Sequence, residues 1–333
     1  MTTLCASSSS GASNTQEPAD VPGCGVLPPE DFLTVIDTAR EEEDLVRAAA
    51  GTHGPNVAAV LGSPIDHSLS PLLHRTAYSE LGFSDWRFQR YAVGGPGEPT
   101  LAHYLSTVHA SHSRWRGMAI TMPLKEDALA AADLVCARAA DLRAANTLIP
   151  YGRGWAADNT DIVGVESALR EAGIRYAEYA LIIGSGATAR AALAALVSFG
   201  VEHVTFAVRS QVRSATTDLA KRLEVNIDTL DLTDTVSLQR CVNEAEVTIS
   251  TLPTGADLSL PPRGEDPIPG VVMDVVYANW PTSLGAWAQA AGARVISGLP
   301  MLLHQAAAQV RAFTGHTPNV AHMRQALEQA VTL

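Results

Sequence analysis

The residues best able to do chemistry lie in a few short polar segments of this 333-residue chain. Gly184-Ser185-Gly186-Ala187-Thr188-Ala189 follows the apolar run Ala180–Ile183 and opens a stretch rich in Ala and Leu. This is the Gly-x-Gly-x-x-Ala arrangement with which a strand, a turn and a helix meet a dinucleotide. Gly184 permits the tight turn, Gly186 lets the backbone approach a pyrophosphate, and small Ala189 allows close packing of helix on strand. The N–H groups at the helix start, including those of Ser185, Ala187 and Thr188, then face the phosphates.

The end of the following strand distinguishes the two nicotinamide cofactors. An Asp or Glu there would accept from a ribose 2′-hydroxyl, whereas this chain carries Ala207-Val208-Arg209-Ser210 with Arg213 close behind. Two guanidiniums at that point suit a 2′-phosphate, and so NADP. Cations at a helix start oppose its dipole unless an anion partners them.

Four further segments place short polar residues beside predicted strand ends, where open α/β sheets hold ligands. They are Gly62–Pro71, Gly117–Lys125, Ala145-Asn146-Thr147-Leu148 and Asp158-Asn159-Thr160-Asp161. In this order, ahead of the glycine turn, they resemble the shikimate dehydrogenase family from about residue 57 to the C-terminus.

The resemblance implies roles residue by residue. Ser68 and Ser70 match the Ser-x-Ser-Pro pair that holds the substrate carboxylate; two hydroxyls at i and i+2 can both donate to one carboxylate, each charge-assisted bond contributing about 1.5–3 kcal/mol. Lys125 matches the catalytic lysine of Thr-x-Pro-x-Lys, with Thr121 at its head. Of the 23 basic residues only Lys125 and Lys221 are lysines, and an ammonium can give up a proton where a guanidinium cannot. Asp161 matches the partner carboxylate of that lysine, forming a dyad that moves a proton while hydride passes to or from the nicotinamide. Asn146 matches a ligand of a substrate hydroxyl. Gln305, in Gly298–Gln305, and Tyr277 are further substrate-site candidates. Two departures from the family pattern are Ala119, where an Asn is usual, and Val208 before Arg209. The histidines near these segments, His67, His74 and His304, are expected to be structural or to support site residues.

The function implied is NADP-dependent, reversible reduction of 3-dehydroshikimate to shikimate. The alternatives are a related enzyme acting on quinate or another hydroxylated cyclic acid, and a catalytically silent ligand-binding relative.

The elements that must position these residues follow from the apolar pattern. Predicted strands at 57–62, 86–93 and 117–121 alternate with helices at 71–82 and 98–110, which reads as parallel βαβ units. The alternation resumes with a helix at 162–172, strands at 180–184, 203–208, 246–251, 270–276 and 293–298, and helices at 187–199, 212–224 and 283–291. The fold class is α/β with two α/β domains. Residues 56–160 with 299–333 form the substrate-binding, catalytic domain, and 161–298 form the Rossmann-type NADP domain. Residues 1–55 are expected to be a flexible acidic extension, with an accessory helix over 29–50. The last 35 residues read as helical with a break at 314–318.

Composition bounds the rest. The net charge is −12, but residues 1–55 hold nine acidic and two basic residues while residues 56–160 hold nine of each. The acidity thus belongs largely to the extension, and no basic run exists to follow a phosphate backbone, so nucleic acid is not expected as a partner. No stretch approaches the roughly 18–20 apolar residues that span a bilayer, and no signal-peptide pattern is present. A cytoplasmic enzyme, monomeric or homodimeric, with a small-molecule partner is expected. The four cysteines show no metal-ligand spacing, and no metal is expected.

Overall fold

The alternation of strand and helix resolves into two sheets, each covered by helices on both faces. The computed structural model describes residues 25–49, 54–109, 114–256, 258, 260 and 267–331. The first sheet is built from β1 (Gly25–Leu27), β2 (Asn56–Gly62), β3 (Trp86–Ala92), β4 (Arg114–Ile120), β5 (Leu134–Cys136), β6 (Thr147–Tyr151) and β7 (Gly154–Asp158). Between them run α1 (Pro29–Ala49), α2 (Ser70–Glu80), α3 (Leu101–His109), α4 (Lys125–Ala130) and α5 (Ala137–Leu142). The strand order is β1-β5-β7-β6-β4-β2-β3. Every residue of β2 is buried, as expected of a central strand covered on both faces. Pro71 sits at the start of α2, where its missing N–H costs nothing.

This sheet is not wholly parallel. β6 runs antiparallel to both β4 and β7. Only Gly152 and Arg153 separate β6 from β7, and a connection that short allows only a hairpin. Gly152 adopts φ +56° in that turn.

The second sheet contains β8 (Tyr179–Ile183), β9 (His203–Val208), β10 (Asn226–Asp231), β11 (Val247–Ser250), β12 (Val271–Asp274) and β13 (Arg294–Ile296), all parallel, in the order β10-β9-β8-β11-β12-β13. Numbered within the sheet this is 3-2-1-4-5-6, the doubly wound dinucleotide order whose reversal lies between β8 and β11. Its helices are α6 (Asp161–Glu171), α7 (Ala187–Val197), α8 (Ser214–Arg222), α9 (Thr235–Glu244) and α10 (Ser283–Gln289). The chain then returns to the first sheet as α11 (Leu299–Thr314) and α12 (Val320–Val331). Leu303, Ala306, Val310, Phe313, Met323 and Leu327 share one core with Val60, Leu73 and Phe88. α6 packs closely on α11 because Gly164 has no side chain: a Cβ there would lie 2.7 Å from the Met301 carbonyl oxygen. No helix among the described residues is long and apolar enough to cross a membrane.

The N-terminal segment differs from the expected flexible extension where it is described. β1 pairs with β5, placing Gly25 opposite Leu134, and α1 buries Phe32 and Ile36 in the core shared with α11. Asp37 accepts from both Arg311 and Arg40, and Arg40 donates to the Ala312 carbonyl at 2.6 Å. Further along α1, Asp44 pairs with Arg114 and Arg116 of β4. The segment therefore straps the sheet edge and the end of α11. The rest of the expected extension, residues 1–24 and 50–53, lies outside the described residues.

Candidate active site

Lys125 and Asp161 begin two helices, α4 and α6, and their side chains meet. Lys125 Nζ donates to Asp161 Oδ2 at 2.5 Å and to Thr188 Oγ1 at 3.3 Å. The lysine and aspartate side chains are 13% and 6% exposed, so the pair is shielded. Thr188 belongs to the glycine-turn helix α7. The contact thus joins the two sheets at the lysine.

The second oxygen of Asp161 is fixed by an amide. Asn146 Nδ2 donates to Asp161 Oδ1 at 2.8 Å and to Thr160 Oγ1 at 3.0 Å. Asn146 Oδ1 accepts from Thr147 Oγ1 at 2.7 Å and from the Thr160 N–H at 2.8 Å. The carboxamide expected to meet a substrate hydroxyl is thus largely engaged inside the protein, where it orients the aspartate. Gln305 lies next to it, its Oε1 3.5 Å from Asn146 Nδ2, while its Nε2 donates to the Leu302 carbonyl at 3.0 Å.

Two supporting interactions were not evident from sequence. Gln309 donates to the Asn146 carbonyl at 3.0 Å and to Thr147 Oγ1 at 3.2 Å, and its Oε1 faces His74 Nε2 at 3.4 Å. Asp158 is clasped by Arg138 through both oxygens. The signal for Gln309 was available: it lies four residues after Gln305, which places both on one face of α11. His74 is wholly buried, and burial depresses its imidazole to about 3, with the Gln309 hydrogen bond opposing that shift. A ring so held stays neutral at neutral pH and rests against Gln309.

Ser68 and Ser70 flank the entry to α2. Ser70 is buried, and its backbone N–H points to Ser68 Oγ at 3.3 Å, leaving the Ser68 O–H able to donate elsewhere. Tyr277, in the loop after β12, approaches this turn from the second sheet. Burial raises its phenol above the ordinary range, and the Leu69 backbone N–H and Arg90 act in the opposite sense. Thr121 caps the end of β4: its N–H donates to the Leu61 carbonyl and its carbonyl accepts from Leu124, forming the turn that sets the start of α4.

The glycine turn fits a dinucleotide. Gly184 adopts φ +103°, and a Cβ there would lie 2.6 Å from Thr251 Oγ1. Around Gly186, by contrast, a Cβ would meet nothing within 4 Å, so the backbone at the start of α7 is open to a phosphate. Ala189 is wholly buried in the core beneath. Arg209 and Arg213 are exposed beside this turn, and the Arg213 N–H lies 3.4 Å from Ser185 Oγ. Among the described residues neither arginine has a carboxylate partner within ion-pair distance.

A doubly wound sheet with an open glycine turn, brought against a shielded Lys–Asp pair, defines a nicotinamide-dependent oxidoreductase. Likeness to known proteins narrows the class to a family. Residues 60–148 match the shikimate dehydrogenase substrate binding domain, 166–258 match shikimate / quinate 5-dehydrogenase, and 298–328 match the shikimate 5′-dehydrogenase C-terminal domain. The shikimate dehydrogenase (NADP(+)) of Pelobacter propionicus is 34% identical over 291 residues, spanning 83% of this chain and 95% of the relative. The crystal structure of Mycobacterium tuberculosis shikimate dehydrogenase superposes with a TM-score of 0.69 at 40% identity, over 83% of this chain and 100% of that one. Shikimate 5-dehydrogenase from Thermus thermophilus, solved in complex with NADP(H) and shikimate, gives 0.66 at 30% identity, over 82% and 99%. This chain belongs to the shikimate dehydrogenase family.

Proposed function

We propose that the protein reversibly reduces 3-dehydroshikimate to shikimate with NADPH, using Lys125 and Asp161 for the proton. The observation that carries this reading is the shielded 2.5 Å pair of Lys125 and Asp161, in contact with Thr188 of the cofactor helix. Relatives named NADP-dependent shikimate dehydrogenases, and one solved with both ligands, support it. Residues 56–160 and 299–333 form the substrate-holding half, and 161–298 the cofactor half. The reading carries with it a cytoplasmic enzyme, monomeric or homodimeric.

The backbone from Gly184 to Ala189 holds the pyrophosphate and Arg209 with Arg213 hold the 2′-phosphate. When bound there, NADPH would supply the hydride for the substrate carbonyl carbon. Lys125 Nζ holds the carbonyl oxygen and delivers a proton to it as negative charge develops there; in the oxidative direction it takes that proton back. Asp161 keeps the ammonium aimed, and Asn146 keeps Asp161 aimed. Ser68, Ser70 and Tyr277 receive the substrate carboxylate. Gln305 and Thr121 line the hydroxyl side.

The test is direct. Purified protein given shikimate and NADP+ generates reduced nicotinamide absorbance. Lys125→Ala lowers turnover by about 10²–10⁴-fold, the usual worth of a positioned acid or base, while NADP+ affinity stays within a few fold. Equal efficiency with NAD+ and NADP+ refutes the assignment of Arg209 and Arg213.

A further inference from the structure

Arg190 is a wholly buried guanidinium in the first turn of α7. That is an electrostatically unfavourable place for a cation, since a helix start already carries partial positive charge. Burying a charge there is sustained only by strong partners. Its partners all come from α4 and the end of α5, helices of the first sheet. Nε donates to the Leu142 carbonyl at 2.5 Å, and one terminal nitrogen donates to Glu126 Oε1 at 2.7 Å and approaches the Arg143 carbonyl at 3.4 Å. The other terminal nitrogen is buried without a hydrogen bond among the described residues. Leu142 ends α5, and Arg143 turns the chain out of it at φ +48°, so the guanidinium occupies the electronegative end of that helix.

Glu126 is the residue directly after Lys125. Two residues before Arg190, Thr188 accepts from Lys125 Nζ. The first turn of α7 therefore grips the start of α4 twice, once at the lysine side chain and once beside it. The same turn of α7 presents the open backbone around Gly186.

Resting on the reaction proposed above, we infer that Arg190 is a positioning residue. Through Glu126 and the end of α5 it locks the lysine-bearing helix to the cofactor-binding helix, so that the Lys125 ammonium and the hydride donor reach one carbonyl in register. Its effect falls on turnover rather than on binding, because it touches neither ligand.

Arg190→Ala empties a buried site and so puts folding itself at risk. Glu126, whose side chain is 56% exposed, is the better handle. In Glu126→Ala, kcat for shikimate oxidation falls tenfold or more while KM for shikimate and for NADP+ changes less than threefold. Glu126→Gln, which keeps an acceptor oxygen, restores at least half of the loss on a logarithmic scale. An independent readout is amide hydrogen exchange with and without NADP+. In the unaltered protein NADP+ slows exchange in residues 125–130 as well as around 186–190; in Glu126→Ala only the second effect remains. Unchanged kcat, a loss carried by KM, or identical NADP+ protection of residues 125–130 in the variant overturns the inference. An unaltered enzyme that fails to oxidise shikimate overturns the proposed reaction instead, and the exchange experiment still decides the role of Arg190.

Discussion

Lowering the pH acts on His74 from a known direction and with a size that can be worked out. The ring lies stacked 3.9 Å from Phe88, with Tyr78 Oη 3.3 Å from Nδ1 and Gln309 Oε1 3.4 Å from Nε2. Burial takes its pKa from 6.5 in the unfolded chain to about 3. With the folded value below the unfolded one, the unfolded chain binds the proton first as the pH falls. The stability tied to the neutral ring is thus fully present above about pH 6.5 and drains away as the pH falls toward about 3. Each pH unit in that window costs about 1.4 kcal/mol, so moving from pH 6.5 to 5 removes about 2 kcal/mol. Denaturant melts of the unaltered protein and of His74→Gln at pH 7 and pH 5 isolate this effect, because the carboxylates contribute alike to both. Trp86 lies 5.0 Å from the Tyr78 ring and offers a local fluorescence signal. The unaltered protein should lose about 2 kcal/mol more than the variant between the two pH values. Equal losses would mean that the ring is hydrated or charged in the folded state, and the reasoning would fail.

Two further perturbations bear on the frame of the site. Gly164→Ala places a Cβ 2.7 Å from the Met301 carbonyl and 3.2 Å from Gln305 Cβ; it should cost about 1–3 kcal/mol in thermal or denaturant melts and raise KM for shikimate more than KM for NADP+. Asp37→Asn tests the N-terminal strap. Burial alone would raise the Asp37 carboxyl, but Arg311 and Arg40 outweigh it and leave the group below its ordinary value of 3.8. Its contribution is therefore present above about 3.8 and lost as the pH falls through the lower folded value. The substitution should cost of order 1 kcal/mol at neutral pH, discounted for the water that reaches the pair, and nothing in strongly acidic solution.

Much of this arrangement was legible because local chemistry and position coincide. The strand Ala180–Ile183 and the turn after it announce themselves, since only glycine tolerates the backbone of Gly184 and only an open backbone at Gly186 can meet a phosphate. The strand of Asn226–Asp231 and the helix of Thr235–Glu244 were silent. β10 is an edge strand with most residues exposed, so no apolar run marks it, and α9 buries only Leu238, Cys241 and Val242. β1 has three residues and gains its order from pairing with β5, a contact across more than a hundred residues that no local pattern can carry. The helix of residues 29–49 was legible as a helix, but not its burial of Phe32 and Ile36 against α11. At the site, the resemblance carried by the short polar segments pointed to Lys125, Asp161 and Asn146, while the engagement of the Asn146 amide did not show. That depends on which oxygen of Asp161 faces it and on Gln309 arriving from the far end of the chain.

The path of α11 and α12 has a consequence for how the molecule is made. The core beneath the first sheet is sealed by Leu303, Ala306, Val310, Phe313, Met323 and Leu327, whereas the second sheet has its final strand by Ile296. The half of the protein that leaves the ribosome first is therefore the last to be finished. It must wait, with one apolar face uncovered, until the cofactor half has been synthesised and the C-terminal helices have swung back across it. Loss of the last two helices would thus cost the enzyme its earliest-made half before it disturbed its latest.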